Sequence, residues 1–281
     1  MTAEERYAAP VALEPGRIIR TIDEPIRVGS LLWVFTDPHE GHERAYNRWY
    51  ERDHYYAGCM IGASNFAGSR WVATRRHKDA RFPDPPDMPF PRDAGSYACV
   101  YYVLDGCHED WLEWSTPQAN WLYTVDRGFQ SRTHYNTGTY AYAWRAYRDP
   151  DPVPLELALD HRYPGLVALW VEPSAGAAHA DVDAWFDAEL PAWLDGSPVA
   201  TVSSWSYLPL RDDKADFVPD DPSGARRSLQ LHFVEGDPLD SWDSHRDLAA
   251  RLDASGAGRV VFAAPFVATV VGTDRYVDEI W

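Results

Sequence analysis

Residues Ser30–Thr36 read SLLWVFT, and Leu166–Val171 read LVALWV. Each is a short apolar run, as expected of a buried β-strand. The two runs align on a tryptophan followed by a valine, Trp33 with Trp170, at a separation of 137 positions. The sequence that follows each run predicts the same series of secondary-structure elements.

The first series has the order β-α-β-β-α-β, the split unit of ferredoxin-like folds. Gly58 and Gly62 are predicted to stop its first helix, five prolines to exclude regular structure from its long loop, and Pro117 to interrupt its second helix. Its predicted elements are strand Ser30–Thr36, helix Glu40–Tyr56, strand Asn65–Thr74, loop Arg75–Gly95, strand Ser96–Leu104, helix Glu109–Phe129 and strand Thr133–Tyr147.

The second series repeats that order. Its predicted elements are Leu166–Val171, Val182–Leu194, Thr201–Leu208, Ser228–Val234, Leu239–Asp253 and Gly258–Val271. Matched residues keep the register between the series, with offsets that drift only from 137 to 130. The matches are Trp33 with Trp170, Trp49 with Trp185, Trp71 with Trp205, Gly106 with Gly236 and Trp111 with Trp242.

The chain is therefore predicted to be α+β, with two tandem ferredoxin-like units. The predicted boundaries are an N-terminal arm at 1–30, a first unit at 31–147, a linker at 148–164 and a second unit at 165–281.

Composition narrows the range of partners. The 281 residues include 43 acidic and 26 basic side chains, and the formal charge of −17 disfavours nucleic acid and anionic membranes. No leader or membrane span is predicted, because no apolar run approaches about 18 residues. Three cysteines without a C-x-x-C pair favour a reducing compartment, so a cytoplasmic protein is expected.

A resemblance to a known family lies at Asp37–Gly62, which reads DPHEGHERAYNRWYERDHYYAGCMIG. This text resembles the dimeric α+β barrel superfamily, in particular its EthD-like branch, whose helix reads roughly N-x-W-Y-x-x-x-H. Asn47, Trp49, Tyr50 and His54 match that helix, and Arg70 before Trp71 matches the strand that follows.

The resemblance implies a fold and a class of chemistry. Two ferredoxin-like units would join their sheets into one barrel, here within a single chain, with a pocket between sheet and helices. Members include cyclases, isomerases, lyases and cofactor-free monooxygenases that act on aromatic or polyketide-like molecules. The resemblance therefore implies a hydrophobic or aromatic small-molecule substrate and no cofactor. It leaves open whether the protein forms a homodimer.

The second series departs from this pattern at its first helix. WYERDH becomes WFDAEL, so Phe186 stands where the first series has Tyr50, and Leu190 where it has His54. We interpret the second unit as a partner that completes the barrel without chemistry of its own.

Candidate catalytic residues follow from helical spacing. Asn47, Tyr50 and His54 lie at i, i+3 and i+7, on one helix face. An imidazole beside a phenol and an amide can exchange a proton and hold a carbonyl oxygen, so His54 is the predicted acid/base and Tyr50 and Asn47 the groups that orient substrate. The alternative is that Tyr50 and His54 lie at the half-buried edge of an amphipathic helix, where they form hydrogen bonds and have a structural role only.

Candidate substrate-binding residues come from the aromatic residues of the first series. Residues 31–147 hold 12 of the 16 tyrosines, whereas residues 165–281 hold two. In the fourth strand, strict alternation places His134, Asn136, Tyr140, Tyr142 and Trp144 on one face, and leaves open which face lines the pocket. The candidates are Tyr97, Tyr101, His134, Tyr140, Tyr142, Trp114, Trp121 and Arg70.

Other chemistries are disfavoured by missing patterns. The chain has no G-x-G-x-x-G, no G-x-x-x-x-G-K-[ST] and no G-x-S-x-G. His39, His42 and His54 lack an evident fourth ligand, so no metal site is predicted. Haem, bound by some relatives of the fold, has only His134 as a conceivable ligand.

The leading interpretation is a cofactor-independent lyase, isomerase or cyclase that uses His54 as general acid/base. The alternatives are a cofactor-free monooxygenase and a non-catalytic protein that binds a hydrophobic ligand, and a haem protein ranks below them.

Overall fold

The computed structural model describes residues 11–14, 17–19, 26–83 and 90–281. Most of the predicted N-terminal arm lies outside these ranges. Within it, Val11–Glu14 (β1) and Arg17–Ile19 (β2) form a two-stranded antiparallel sheet.

The remaining strands and the helices follow the order that the sequence predicts. The strands are β3 Val28–Pro38, β4 Asn65–Val72, β5 Tyr97–Leu104, β6 Arg132–Tyr147, β7 Gly165–Pro173, β8 Val199–Leu208, β9 Ser228–Val234 and β10 Gly258–Ala268. The helices are α1 Glu43–Trp49, a π-helix Tyr50–Met60, α2 Arg75–Ala80, α3 His108–Thr124, α4 His179–Leu194 and α5 Trp242–Ser255, with short 3-10 turns at Leu155–Leu157, Gly224–Arg226 and Pro238–Ser241.

Strands β3 to β10 form one closed, antiparallel barrel in the order β10-β4-β5-β3-β6-β8-β9-β7. Within the barrel, strands β3 to β6 and strands β7 to β10 meet along two seams. β6 pairs with β8 from Thr139 to Tyr147, whereas β4 pairs with β10 only at Val72 and Trp71. The predicted α+β class and barrel are thus confirmed, and the tandem duplication stays a prediction.

Tryptophan side chains fill the barrel interior. Trp33, Trp71, Trp170 and Trp205 are each at most 1% exposed. The rings of Trp33 and Trp170 meet edge to face at 5.4 Å, an arrangement that aromatic quadrupoles favour. Many of the chain's rings therefore occupy a solid core rather than a ligand cavity.

Three local predictions were wrong. The segment after β4 contains the helix α2, because its first proline, Pro83, follows the helix rather than interrupting it. α3 runs through Pro117, which removes one backbone hydrogen bond without ending the helix. Gly58 lies inside the π-helix and does not stop it.

A membrane-spanning helix is absent from the part of the chain that the structure describes, because none of its helices is both long and apolar enough.

Candidate functional site

A pocket of about 110 Å³ lies on the outside of the barrel, between the β3 and β6 strands and the helices above them. The π-helix and α3 form its roof, and a segment between β8 and β9 closes one side. Its lining is mainly apolar and includes Leu32, Val34, Tyr50, His54, Cys59, Trp111, Leu112, Tyr123, Arg132, His134, Phe217 and Val218.

His54 projects into this pocket from the π-helix. Its ring stacks on Trp49 at 4.4 Å and meets the edge of Tyr50 at 5.2 Å. Gly58 leaves room for the ring, because a Cβ at that position would lie 2.7 Å from His54 Cε1 and Nδ1. The imidazole is therefore held by packing on three sides.

The hydrogen bonding of the His54 ring is incomplete within the described part of the chain. Its Nδ1 is buried and has no partner among the described residues. Burial lowers the pKa of His54 to about 3, and the nearby charge of Arg132 acts in the same direction. At neutral pH the ring is therefore uncharged.

His134 reaches the same pocket but is fully engaged. Its Nε2 accepts a hydrogen bond from Arg132 Nε at 2.8 Å, so its proton resides on Nδ1, 2.8 Å from Thr137 Oγ1. Burial, with the charge of Arg132 second, lowers the pKa of His134 well below its usual value. His134 is therefore a neutral side chain with no free nitrogen.

Arg132 lies flat among aromatic rings. Its guanidinium carbon is 4.8 Å from the Trp49 centroid and 5.1 Å from that of Phe217. Besides His134 it donates to the Phe129 carbonyl at 2.6 Å and to the Tyr123 hydroxyl. The predictions did not include Arg132, although it is the first residue of β6.

Tyr50 lines the pocket, and its hydroxyl group points away from the pocket towards Tyr101 of β5. The hydroxyls of Tyr50 and Tyr101 are 2.7 Å apart, and burial raises the pKa of both phenols far above the usual value. Tyr101 thus supports Tyr50 and does not itself line the pocket.

Asn47 lies outside the pocket, although it shares a helix with Tyr50 and His54. It accepts a hydrogen bond from Arg70 at 3.0 Å and donates to the Thr273 carbonyl at 2.9 Å. Arg70 is buried, pairs with Glu51 at 3.2 Å and contacts the ring of Tyr97. This cluster ties the C-terminal segment to α1, so Asn47, Arg70 and Tyr97 lie outside the pocket that His54 lines.

The predicted faces of β6 were wrong because the strand is irregular at two points. A bulge beside Phe35 and Thr36 places His134 on the outer face, while Asn136, Tyr140 and Tyr142 face the barrel interior. A second register shift between Tyr142 and Trp144 returns Trp144 to the outside. One extra residue reverses every side chain beyond it, so Tyr140 and Tyr142 do not reach the pocket.

The predicted tryptophans of α3 also lie away from the pocket. Trp114 packs over Gly62, and Trp121 is 48% exposed. The helix instead lines the pocket with Trp111, Leu112, Ser115, Thr116, Ala119 and Tyr123.

Sequence reasoning missed one wall of the pocket completely. It comes from the second half of the chain and includes Leu210, Lys214, Ala215, Phe217 and Val218. Phe217 packs on Tyr123 at 4.6 Å and on His134 at 5.1 Å. A single phenylalanine within a charged, proline-containing stretch was the one available signal.

A metal or haem site finds little support in these residues. Within the described ranges, no three His, Cys, Asp or Glu side chains come together as a set of metal ligands. Both nitrogens of His134, the ligand considered for haem, are occupied. A cavity of about 110 Å³ is far smaller than a haem macrocycle, so haem does not fit and we derive no step through it.

Comparison with known proteins places the fold. A protein described as a candidate chlorite dismutase aligns with a TM-score of 0.53 and 8% identity, over 91% of this chain and 100% of its own. An anthrone oxidase-like protein aligns with a TM-score of 0.51 and 7% identity, over 89% of this chain and 98% of its own. No family model and no curated protein matches the sequence. At such identities the similarity identifies the dimeric α+β barrel fold alone.

Proposed function

We propose that the protein is a cofactor-independent enzyme that moves a proton on a hydrophobic, aromatic small molecule, with His54 as general acid/base. Cyclisation, isomerisation and elimination belong to this class of reaction. The observation that carries the proposal is the neutral imidazole of His54 in the lining of an apolar pocket, with an Nδ1 that no described residue binds. A buried polar atom without a partner is costly to folding, and a catalytic role is one explanation for it.

The pocket chemistry suits removal of a proton from carbon beside a carbonyl group. The neutral ring of His54 accepts the proton, and the resulting enolate remains beside the new imidazolium. Although the pKa of about 3 makes free His54 a weak base, an anion formed next to it raises that pKa. Arg132 supplies further positive charge for the enolate. Tyr50 positions the ring of His54, and Asn47 has no part in this step.

An oxygen-dependent reaction is the second candidate, because it begins with the same proton removal. The carbanion would reduce O₂, so that an activated CH₂ group becomes C=O with one oxygen atom, and the other oxygen leaves as water. Similarity in fold to an anthrone oxidase-like protein favours this variant. A non-catalytic ligand-binding protein is the remaining alternative.

We also propose that the chain arose as a fusion of two EthD-like units, 31–147 and 165–281, joined by 148–164. The four matched tryptophans at the barrel interior support this origin. In this proposal the first unit carries the chemistry, and the second completes the barrel and supplies the wall around Phe217. Association with a second copy and a cytoplasmic location stay predictions.

The test uses 2-tetralone, a two-ring ketone with an acidic methylene group, in D₂O. NMR would follow exchange of that proton while an electrode records O₂ consumption. We expect His54→Ala to slow catalysed exchange by about 10² to 10⁴. His39→Ala is the matched control, because His39 is exposed and lies outside the pocket.

Equal exchange by the His54→Ala and unaltered proteins would eliminate the acid/base role. O₂ consumption linked to exchange would select the oxygenase variant. Saturable binding of 2-tetralone without exchange would favour the non-catalytic alternative.

A further inference from the structure

The charged part of the pocket lining is cationic. Arg132 and Lys214 line it, and no aspartate or glutamate of the described residues does. The chain as a whole carries 43 acidic against 26 basic side chains. The sign of charge inside the pocket is thus opposite to that of the protein, which favours a negatively charged group there.

The two cations differ in whether the protein neutralises them. Lys214 lies 3.0 Å from an Asp220 carboxylate oxygen and donates to the Val218 carbonyl at 2.8 Å. Arg132 has no carboxylate within ion-pair distance in the described ranges, because its partners are the His134 ring, the Phe129 carbonyl and the Tyr123 hydroxyl. All three partners are uncharged, since burial raises the pKa of Tyr123 and lowers that of His134.

Arg132 also retains unused donors. A guanidinium has five N–H groups, and these contacts use one on each nitrogen. One N–H on each terminal nitrogen remains for a further oxygen atom. The rings of Trp49, Tyr123 and Phe217 cover the guanidinium. An ion pair with a ligand is stronger beside such apolar rings than in open solvent.

We infer that Arg132 anchors an anionic oxygen of the ligand, so that the pocket takes an aromatic carboxylate or an acidic phenol or enol. This inference deepens the proposed function by naming the substrate class, and it rests on that function only for the reaction at His54. The apolar lining holds the ring system, and Arg132 fixes the end that carries the charge.

Acidic side chains near the pocket mouth do not cancel this preference. Asp212, Asp213 and Asp216 border the neighbouring cleft and are exposed to solvent. Salt screens exposed charges beyond about 8 Å at physiological ionic strength. Arg132 would act on a bound ligand at contact distance, where screening by salt is small.

Matched pairs of small molecules test the inference. Calorimetry would compare the dissociation constants of 2-naphthoate and 2-naphthamide, and of benzoate and benzamide as the single-ring pair. Because a hydrogen bond to a charged group contributes about 1.5 to 3 kcal/mol, we expect the full-length protein to bind each carboxylate about 10- to 100-fold more tightly than its amide. Arg132→Gln should remove the preference, and Arg132→Lys should retain part of it.

The control is Arg145→Gln, which removes an exposed arginine from the same strand, outside the pocket, and should leave the preference unchanged. Circular dichroism of each variant verifies that it is folded, and Arg132→Lys serves if Arg132→Gln is not. Equal binding of acid and amide, binding of neither, or a preference that survives both Arg132 variants would overturn the inference.

His54→Asn separates this result from the proposed function. It should keep the carboxylate preference while losing proton exchange. A preference that depends on Arg132 without any exchange by His54 would leave the binding inference intact and refute the reaction.

Discussion

The helix layers on the two halves of the barrel differ in what fills the space between helix and sheet. In the first half, the π-helix places Tyr50 and His54 over the sheet, and a pocket remains beside them. In the second half, α4 places Phe186 and Leu190 in the matched positions, at 0% and 1% exposure, within a continuous apolar cluster. A pocket arises where polar, imperfectly packed side chains replace the apolar ones that would fill it.

The helices themselves differ in the same sense. α4 is a regular α-helix from His179 to Leu194, whereas its counterpart changes at Tyr50 into eleven residues of π-helix. π-helical turns are rare and occur frequently at functional sites. In this chain the π-helix carries both His54 and Gly58, the residue that leaves space for the imidazole.

The largest expected effect concerns the filled half. Phe186→Ala should lower the free energy of unfolding by about 3 to 5 kcal/mol, because it opens a cavity in a packed cluster. Urea unfolding measures this loss. Binding of 2-naphthoate in the first half should persist under native conditions.

Tyr50→Phe is the matched substitution in the other half. It keeps the ring and removes the hydroxyl group that is 2.7 Å from the Tyr101 hydroxyl, for which we expect a loss of about 1 kcal/mol. A Phe186→Ala loss no larger than that of Tyr50→Phe would contradict the distinction between a filled and an open layer.

The next effect separates catalysis from stability. Gly58→Ala should slow 2-tetralone exchange by about 10², because its Cβ would displace the His54 ring and a shift of about 1 Å suffices for such a loss. The free energy of unfolding should change by no more than about 1 kcal/mol, since alanine favours helix.

Gly236→Ala is the control in the second half, because a Cβ there meets no atom within 4 Å. It should leave the exchange rate unchanged. Normal exchange by Gly58→Ala would show that the position of the His54 ring does not matter.

The smallest expected effect is a dependence of the free energy of unfolding on pH, to which buried histidines in both halves contribute. In the second half, burial lowers the pKa of His245 to about 4, and burial together with the His245 charge lowers the pKa of His232. Unfolded histidine takes up a proton near pH 6.5. Stability is therefore complete above pH 6.5 and decreases as the pH falls towards 4, by about 1.4 kcal/mol per pH unit for each such histidine.

Urea unfolding between pH 4.5 and 7.5 measures this slope. His245→Gln and His54→Gln should each reduce it by about one proton, and only His54→Gln should affect exchange. His39→Gln, on the surface, should leave the slope as it is. An unchanged slope in His245→Gln would refute the assignment of His245 as a buried neutral side chain.

Strand positions were predictable where one physical pattern dominates. Ser228–Val234 has the same limits in sequence and structure, because Leu229, Leu231 and Phe233 alternate with polar residues as in a β-strand. His54 and Tyr50 could be named because helical spacing fixes which residues share a face. Asn47 shares that spacing, yet the C-terminal segment covers it.

Other features of the site depend on contacts that no local pattern encodes. Two irregularities in β6 send Tyr140 and Tyr142 inward and His134 outward. The excess tyrosines therefore do not mark the pocket. Tyr97 and Tyr101 pack behind it, and Tyr102 is in the barrel.

By itself, the sequence determined the order of the barrel strands and the helix that carries His54. These depend on periodicity, which is local. Only the tertiary structure decided where the two seams of the barrel lie, that Arg132 has no carboxylate partner among the described residues, and that residues 210–218 of the distant half enclose the pocket. Such features depend on which distant side chains meet, and this is set by packing of the whole chain.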